Sequence, residues 1–151
     1  MPALPSNPSP AEKYVSRGGH KLRGALTAFG VSAQGKICLD IGSSHGGFTD
    51  CLLQDGAQRV WCVDVGYGLL DYKLRNDPRV KLLERTNIRH LDKAVITDPL
   101  DIIVIDVSFI SVSKIWGKVR EFSHSGTQIL AMIKPQFEGT PKEAPGGTIK
   151  D

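Results

Sequence analysis

The chain has 151 residues, 40% of them hydrophobic and 23% charged, which is the composition of one folded domain and excludes a disordered chain. Its apolar runs are far shorter than the roughly 20 residues of a membrane-spanning helix. The formal net charge is +3, and residues 1–36 account for all of this excess, because they hold five basic residues and one acidic residue. Such a basic segment favours contact with a phosphate backbone, although a solvated surface explains it equally well.

The first twelve residues, 1–12, hold four of the nine prolines. They are predicted to be a flexible lead-in and lack the apolar core of a secretory signal. The apolar spacing then predicts helices over residues 19–29, 47–54, 69–75 and 113–122, strands over residues 37–41, 60–65, 80–83, 100–107 and 129–133, and a loop over residues 135–151. Strands that alternate with helices predict an α/β fold with a parallel, doubly wound sheet, which binds ligands at the carboxyl ends of its strands.

The cysteines are Cys38, Cys51 and Cys62. Their odd number and the lack of a CxxC pair predict free, buried thiols in a reducing cytoplasm rather than disulfides. Because zinc sites use closely paired Cys or His ligands, no metal site is predicted.

A glycine-rich turn, residues 42–47, separates the first predicted strand from the helix after it. Glycines there allow a ligand to approach the backbone, and a helix start favours polar or anionic groups. Ser44 stands where the motif GxGxxG has its second glycine, so the pattern alone fits a tight turn equally well. Asp64 ends the second strand, 24 positions after Asp40, where a carboxylate accepts hydrogen bonds from ribose hydroxyls or caps the next loop. Together these features predict an adenosine-containing cofactor.

Two charged residues, Asp106 and Lys134, stand at the ends of the fourth and fifth predicted strands. Adjacent parallel strands lie about 4.8 Å apart, so the two side chains can meet if these strands are neighbours. A lysine beside a carboxylate can move a proton or orient a hydroxyl, and the alternative is a structural ion pair. Lys21 follows two glycines near a helix start, which suits an anionic ligand, although a solvated lysine fits there too.

Seven segments carry a family resemblance: residues 14–22, 40–53, 63–68, 73–80, 84–89, 105–111 and 133–138. Together they resemble the TlyA (hemolysin A-like) family of FtsJ-like ribose 2′-O-methyltransferases. The resemblance implies a Rossmann-like, S-adenosylmethionine-dependent methyltransferase fold with a mostly parallel sheet. It also implies S-adenosylmethionine as the cofactor and ribosomal RNA or a ribosomal subunit as the partner. The implied reaction is methylation of a cytidine 2′-hydroxyl in the cytoplasm, with no role at a membrane.

The resemblance also assigns site residues. Lys21, Asp106 and Lys134 match the first three members of the family's catalytic Lys-Asp-Lys-Glu tetrad. The expected cofactor-binding residues are Asp40, Gly42, Ser43, Ser44, His45, Gly46, Gly47, Phe48, Asp64, Val65 and Asn87. The expected RNA-binding residues, all in the basic segment, are Arg17, Lys21 and Arg23.

Three departures from the family pattern are expected to affect activity. The family's S4 RNA-binding domain does not precede the methyltransferase domain, which is expected to span residues 13–151. The sheet is expected to be truncated at its C-terminal end, because the family continues through two more strands and supplies the tetrad's Glu there. His45 also replaces a Thr in the cofactor turn.

Three alternative functions remain. The chain could be a non-catalytic cofactor- or RNA-binding fragment, because the tetrad's Glu and the S4 domain are missing. It could be a nicotinamide-dependent oxidoreductase on the same fold class, which Ser44 and the Lys-Asp-Lys set disfavour. It could be a lytic hemolysin, which the lack of an amphipathic or spanning segment disfavours.

Overall fold

The computed structural model describes residues 13–107 and 111–133, whose five strands form one sheet. The strands are β1 (Ile37–Ile41), β2 (Arg59–Val63), β3 (Val80–Leu83), β4 (Ile102–Ile105) and β5 (Gln128–Ala131). The helices are α1 (Gly18–Phe29), α2 (Gly47–Gln54), α3 (Tyr72–Arg75) and α4 (Trp116–Phe122). Short 3₁₀ turns lie at Ile88–His90, Lys93–Val95 and Val112–Lys114.

The strand order in the sheet is β3-β2-β1-β4-β5, and each neighbouring pair is parallel. At the carboxyl edge, Ile41 of β1 is in register with Val63 of β2 and with Ile105 of β4. The order of the strands along the chain reverses between β1 and β4, so their carboxyl ends flank the point where doubly wound sheets bind ligands. The predicted parallel α/β fold is confirmed, and the fourth and fifth strands are neighbours.

Apolar layers cover both faces of this sheet. Every residue of β4 is buried, which is why its sequence shows no polar alternation. On one face, α1 and α2 pack on the sheet through Leu22, Leu26 and Leu52. On the other face, α4 packs through Val119 and Phe122. The central strands are therefore held from both sides, and their carboxyl ends are fixed relative to one another.

The predicted helices over residues 19–29 and 47–54 are confirmed to within one residue. The first ends at Gly30, whose φ of 64° stops the helix and lets its N–H bond the carbonyl oxygens of the last turn. The strand over residues 80–83 is also confirmed. The predicted lead-in and the loop over residues 135–151 lie outside the described residues.

Other element boundaries need correction, mainly at the carboxyl edge of the sheet. A helix from residue 69 is wrong, because residues 69–71 belong to a loop and α3 begins at Tyr72, where the Asp71 side chain accepts from Lys73 N–H at 2.9 Å. β2 and β4 each end two residues before the predicted boundary, because the chain leaves the sheet there. β5 ends at Ala131 instead of residue 133, and α4 begins at Trp116 instead of residue 113, after a 3₁₀ turn.

All three cysteines are buried and free, as predicted. Burial raises the pKa of the Cys38 thiol to about 12, so this thiol is protonated and unreactive at neutral pH. Within residues 13–107 and 111–133, no helix is long and apolar enough to cross a bilayer.

Candidate functional site

A cavity of about 360 Å³ lies at the carboxyl ends of β1, β2 and β4. Its wall includes the turn after β1, the loop after β2, the loop after β3 and the segment after β4. Among its lining residues are Gly42, Ser44, Asp64, Val65, Asn87 and Asp106. This volume suits a small organic ligand, because ligand pockets measure roughly 300–1,000 Å³.

The turn after β1 is a compact loop held to β2. Gly42 N–H and Ser43 N–H both donate to the carbonyl oxygen of Val63, at 2.8 Å and 3.3 Å. Ser44 adopts a left-handed conformation with φ of 50°, which is unfavourable for a residue with a side chain. Its N–H donates to Asp64 Oδ2 at 2.7 Å. The hydrogen bonds to β2 therefore stabilise a conformation that the serine would otherwise avoid.

Two glycines of the turn are required by packing between elements. A Cβ on Gly42 would overlap the backbone carbonyl oxygen of Asp106, so the turn after β1 and the segment after β4 touch at this point. A Cβ on Gly47 would lie 2.8 Å from the backbone nitrogen of Gly19. The starts of α1 and α2 are thus in direct backbone contact. The prediction that these glycines allow a ligand to approach the backbone therefore explains only part of their role.

Asp64 joins the two loops of the cavity. Its Oδ2 accepts from Ser44 N–H and its Oδ1 accepts from Gly66 N–H, each at 2.7 Å. Each carboxylate oxygen can accept a second hydrogen bond. Because Asp64 also lines the cavity, it can bind hydroxyl groups there while it keeps both backbone contacts.

Asp40 lies behind the turn, fully buried, and does not line the cavity. Its Oδ2 accepts from the Thr49 hydroxyl at 2.7 Å. Burial raises the pKa of Asp40 to about 7, opposed by the Thr49 hydrogen bond and assisted by the negative charges of Asp106 and Asp64. Three carboxyl groups therefore converge at the ends of β1, β2 and β4, which makes the site favourable for a cationic ligand.

The remaining predicted cofactor residues differ in their access to this cavity. Val65 lines it and is 71% exposed, and Asn87 lines it while its side chain accepts from Arg89 N–H at 3.0 Å. His45 is exposed, with Nδ1 3.1 Å from the carbonyl oxygen of Leu69. Ser43, Gly46, Gly47 and Phe48 are buried and do not line the cavity.

The three tetrad positions are not all at this cavity. Asp106 lines it and donates its N–H to the carbonyl oxygen of Ile41 at 3.0 Å. Lys21 lines a separate recess of about 520 Å³ between α1 and β5, beside Phe48. Lys134 lies outside the described residues. The structure therefore brings Asp106 to the predicted cofactor site and places Lys21 on the adjacent recess.

The predicted RNA-binding residues also separate into two groups. Arg17 and Lys21 are exposed at the start of α1. Arg23 instead forms an ion pair with Asp55 at 2.8 Å. This guanidinium holds α1 to the end of α2, so it is less available to a phosphate than the sequence suggests.

Several lining residues were not identified from the sequence, among them Leu69, Thr86, Ile88 and Ile115. Thr86 N–H donates to the carbonyl oxygen of Asp64 at 2.9 Å, which links the loops after β2 and β3. Thr86 directly precedes Asn87, which was predicted from the sequence, so its position in the chain could have indicated that it lines the cavity. Ile115 reaches the cavity from a turn before α4, and its apolar character gives no sign of this.

The chain is similar to a known protein family, to curated proteins and to solved structures. The family of FtsJ-like methyltransferases matches residues 14–151. The 16S/23S rRNA (cytidine-2′-O)-methyltransferase TlyA of Mycobacterium tuberculosis is 48% identical over 139 residues, which are 91% of this chain and 52% of that protein. Hemolysin A of Brachyspira hyodysenteriae is 48% identical over 141 residues, which are 92% of this chain and 59% of that protein.

A solved structure of a provisionally named hemolysin from Streptococcus thermophilus superimposes with a TM-score of 0.89 at 40% identity. The match covers 98% of this chain and 53% of the other. The chain thus spans between half and three-fifths of the length of these relatives.

Proposed function

Because the chain belongs to the FtsJ-like methyltransferase family, we propose that it methylates the 2′-hydroxyl of a cytidine in ribosomal RNA, with S-adenosylmethionine as the methyl donor. The resemblance to TlyA and hemolysin A is confirmed by relatives that are 48% identical. Ribosomal RNA or a ribosomal subunit is the proposed partner, and a reaction on ribosomes takes place in the cytoplasm. The methyltransferase domain over residues 13–151 stays a prediction.

One observation carries this proposal: Asp64 and Asp106 line a single cavity at the carboxyl ends of β1, β2 and β4, and the buried carboxyl group of Asp40 lies behind it. Bound S-adenosylmethionine would supply a methyl group on a positively charged sulfur. A site surrounded by carboxyl groups stabilises such a cation.

The residues of the cavity fit the parts of this cofactor. Asp64 keeps two acceptor positions for ribose hydroxyls. Val65 and Ile88 offer apolar surface to an adenine ring, beside the side chain of Asn87. Gly42 and Ser44 present the turn to the remaining part of the ligand. No described residue blocks the cavity, whose volume of about 360 Å³ suits a molecule of this size.

Three side chains are proposed to act on the RNA. Lys134 would orient the 2′-hydroxyl and, as the neutral amine, take its proton while the oxygen bonds to the methyl group and the methyl–sulfur bond breaks to leave S-adenosylhomocysteine. Asp106 would hold Lys134 in place and set its pKa. Lys21 would bind the ribose and its phosphate from the exposed start of α1. β4 and β5 are neighbours, which is the arrangement that this division of roles requires.

A binding fragment without activity is the second candidate. Lys21 lines a recess separate from the cavity that Asp106 lines, so the structure does not bring these two side chains to one ribose. A chain that binds the cofactor but transfers no methyl group is a distinct experimental outcome, because Lys21 does not line the cofactor cavity.

Transfer of a labelled methyl group from S-adenosylmethionine to unmodified ribosomal RNA tests the proposal. We expect the label in RNA, and nuclease digestion should recover it as 2′-O-methylcytidine. A folded chain that binds the cofactor but leaves the RNA unlabelled would support the binding fragment. Label on another nucleotide or on a base nitrogen would contradict the proposed reaction.

A further inference from the structure

A pair of loops beside the cofactor cavity carries an exposed aromatic ring with an arginine stacked on it. The loop after β2 contains Tyr67, and the loop after β3 contains Arg85. The guanidinium carbon of Arg85 lies 4.3 Å from the centre of the Tyr67 ring. Tyr67 is 65% exposed, so the ring is fixed by the arginine and still accessible to a partner.

Backbone hydrogen bonds hold this pair in place. Arg85 N–H donates to the carbonyl oxygen of Gly66 at 3.0 Å, and Gly68 N–H donates to Glu84 Oε1 at 3.2 Å. Arg85 has a left-handed φ of 47°, which is unfavourable for a residue with a side chain. The surrounding contacts therefore stabilise a conformation that sets Arg85 against Tyr67.

The segment after β3 carries two exposed arginines, Arg85 and Arg89. Glu84 is ion-paired with Arg75, which leaves its charge largely neutralised. Over residues 13–107 and 111–133, neither Arg85 nor Arg89 forms an ion pair with a carboxylate. An exposed aromatic ring with neighbouring unneutralised arginines suits a single-stranded nucleic acid, whose bases stack and whose phosphates bind cations.

The pair is distinct from the cofactor cavity. Neither Tyr67 nor Arg85 lines that cavity. Tyr67 is nevertheless three residues from Asp64, and Gly66 between them donates its N–H to the Asp64 carboxylate. A base stacked on Tyr67 would therefore lie outside the cofactor and close to it.

We propose that Tyr67, backed by Arg85, is a stacking platform for an unpaired nucleobase of the RNA substrate. This inference rests on the proposed function, because it assigns part of the RNA contact to the rim of the same site. The platform would hold a base that neighbours the reacting nucleotide while Arg85 and Arg89 contact its backbone. Stacking is tolerant of base identity, so Tyr67 contributes affinity and position and does not select the target sequence.

The test measures binding of a fluorescein-labelled cytidine RNA decamer by anisotropy, with an abasic decamer of the same backbone as the second probe. The proteins are the full chain, Tyr67→Ala, Tyr67→Phe, and Tyr72→Ala as the matched control. Tyr72 is 80% exposed, and its ring forms no cation–π pair with a Lys or Arg side chain among the described residues. Calorimetry with S-adenosylhomocysteine reports whether each variant keeps its cofactor site.

We expect Tyr67→Ala to weaken binding of the cytidine decamer about fivefold to 150-fold, the effect of losing one base–aromatic stack. Tyr67→Phe and Tyr72→Ala should bind it like the unmodified chain. All variants should bind the abasic decamer alike and should keep their affinity for S-adenosylhomocysteine. An equal loss on both decamers, or no loss on either, would overturn the platform. If the unmodified chain binds S-adenosylhomocysteine but neither decamer, RNA binding itself fails and the proposed function fails with it.

Discussion

The two sides of the proposed active site are built differently. On the β1–β2 side, backbone N–H groups of Ser44 and Gly66 hold the Asp64 carboxylate at 2.7 Å, and the loops after β2 and β3 are hydrogen-bonded to each other. On the α1–β5 side, Lys21 extends from an exposed helix start, and no ion pair fixes it within the described part of the chain.

This difference separates two kinds of function. A site held by backbone hydrogen bonds keeps its geometry before any ligand binds, which lowers the entropy lost on binding. A lysine on a flexible side chain acquires a defined position only when a partner binds it. We therefore expect substitutions on the first side to affect cofactor binding, and substitutions of the lysines to affect RNA binding or methyl transfer without changing cofactor affinity.

The largest effect is expected from Lys134→Ala, which should lower methyl transfer to RNA by about 10²–10⁴-fold, the usual contribution of a proton-transferring side chain. Affinity for S-adenosylhomocysteine should be unchanged. Lys134→Arg should also be poor, because arginine does not release its proton at working pH. Single-turnover transfer of a labelled methyl group measures the activity of both variants, and calorimetry measures their affinity for S-adenosylhomocysteine. A parallel loss of cofactor affinity would show that the two sides are not separable.

Gly42→Ala should break the cofactor side itself. The added Cβ would overlap the Asp106 carbonyl oxygen, and alanine would have to adopt a φ of 80°. The conformation alone costs about 1–3 kcal/mol, so thermal stability and cofactor affinity should both fall. Gly24→Ala is the matched control, since it lies in α1 with no atom within 4 Å of the added Cβ, and it should stabilise the chain slightly. Equal melting temperatures for the two variants would contradict the close contact at Gly42.

Asp64→Ala should weaken binding of S-adenosylhomocysteine by about 1.5–3 kcal/mol, the scale of a hydrogen bond to a charged group. The control is Asp92→Ala. Asp92 also accepts from the N–H two residues later, Ala94, at 2.8 Å, but it lies away from this cavity. Calorimetry should show a loss for Asp64 only. Matching losses would indicate that Asp64 acts through loop stability instead of ligand contact.

The buried carboxyl of Asp40 should make stability depend on pH. Its pKa is raised to about 7 in the folded chain, against about 3.9 when unfolded. Between these values the folded state holds more protons, so the free energy of unfolding should fall as pH rises from about 4 to 7, by at most about 1.4 kcal/mol per pH unit. Asp40→Asn should flatten this dependence in urea titrations. A parallel pH profile for the variant would show that Asp40 titrates normally.

The smallest effect is expected on the salt dependence of RNA binding. Arg17→Glu combined with Lys21→Glu should flatten the slope of log affinity against log salt by about one for each lost phosphate contact. Arg23 is left intact, because its ion pair with Asp55 supports the fold. An unchanged slope would place the phosphate contacts elsewhere, for example at Arg85 and Arg89.

The sequence predicts the order of elements well because apolar periodicity and turn residues are local signals. The strand over residues 80–83 and the helix over residues 47–54 were located in this way. The loop from Asp64 to Asp71 was partly predicted as helix, because its conformation depends on contacts with the distant turn, including Asp71 N–H to the His45 carbonyl oxygen at 3.1 Å. Such long-range hydrogen bonds leave no local pattern.

For a similar reason, the sequence located some residues of the candidate site and misplaced others. Gly42, Ser44, Asp64 and Asp106 stand at strand ends, and parallel strands bring their carboxyl ends together, so these four residues line one cavity. A sequence motif does not show which of its residues are buried inside the turn. Asp40 and Ser43 were therefore expected to contact the ligand, but they lie behind the cavity. The ion pair of Arg23 with Asp55 spans 32 positions and could not be read from charge alone.

Calorimetric titration of the folded chain with S-adenosylmethionine, and in parallel with a nicotinamide dinucleotide, tests most directly whether the cavity at the carboxyl ends of β1, β2 and β4 holds the methyl donor. We predict a saturable heat of one-site binding with S-adenosylmethionine, none with the dinucleotide, and the same heat for Lys134→Ala. A folded chain that gives no heat at about millimolar S-adenosylmethionine, where even a weak site of about −4 kcal/mol would begin to fill, would contradict this assignment.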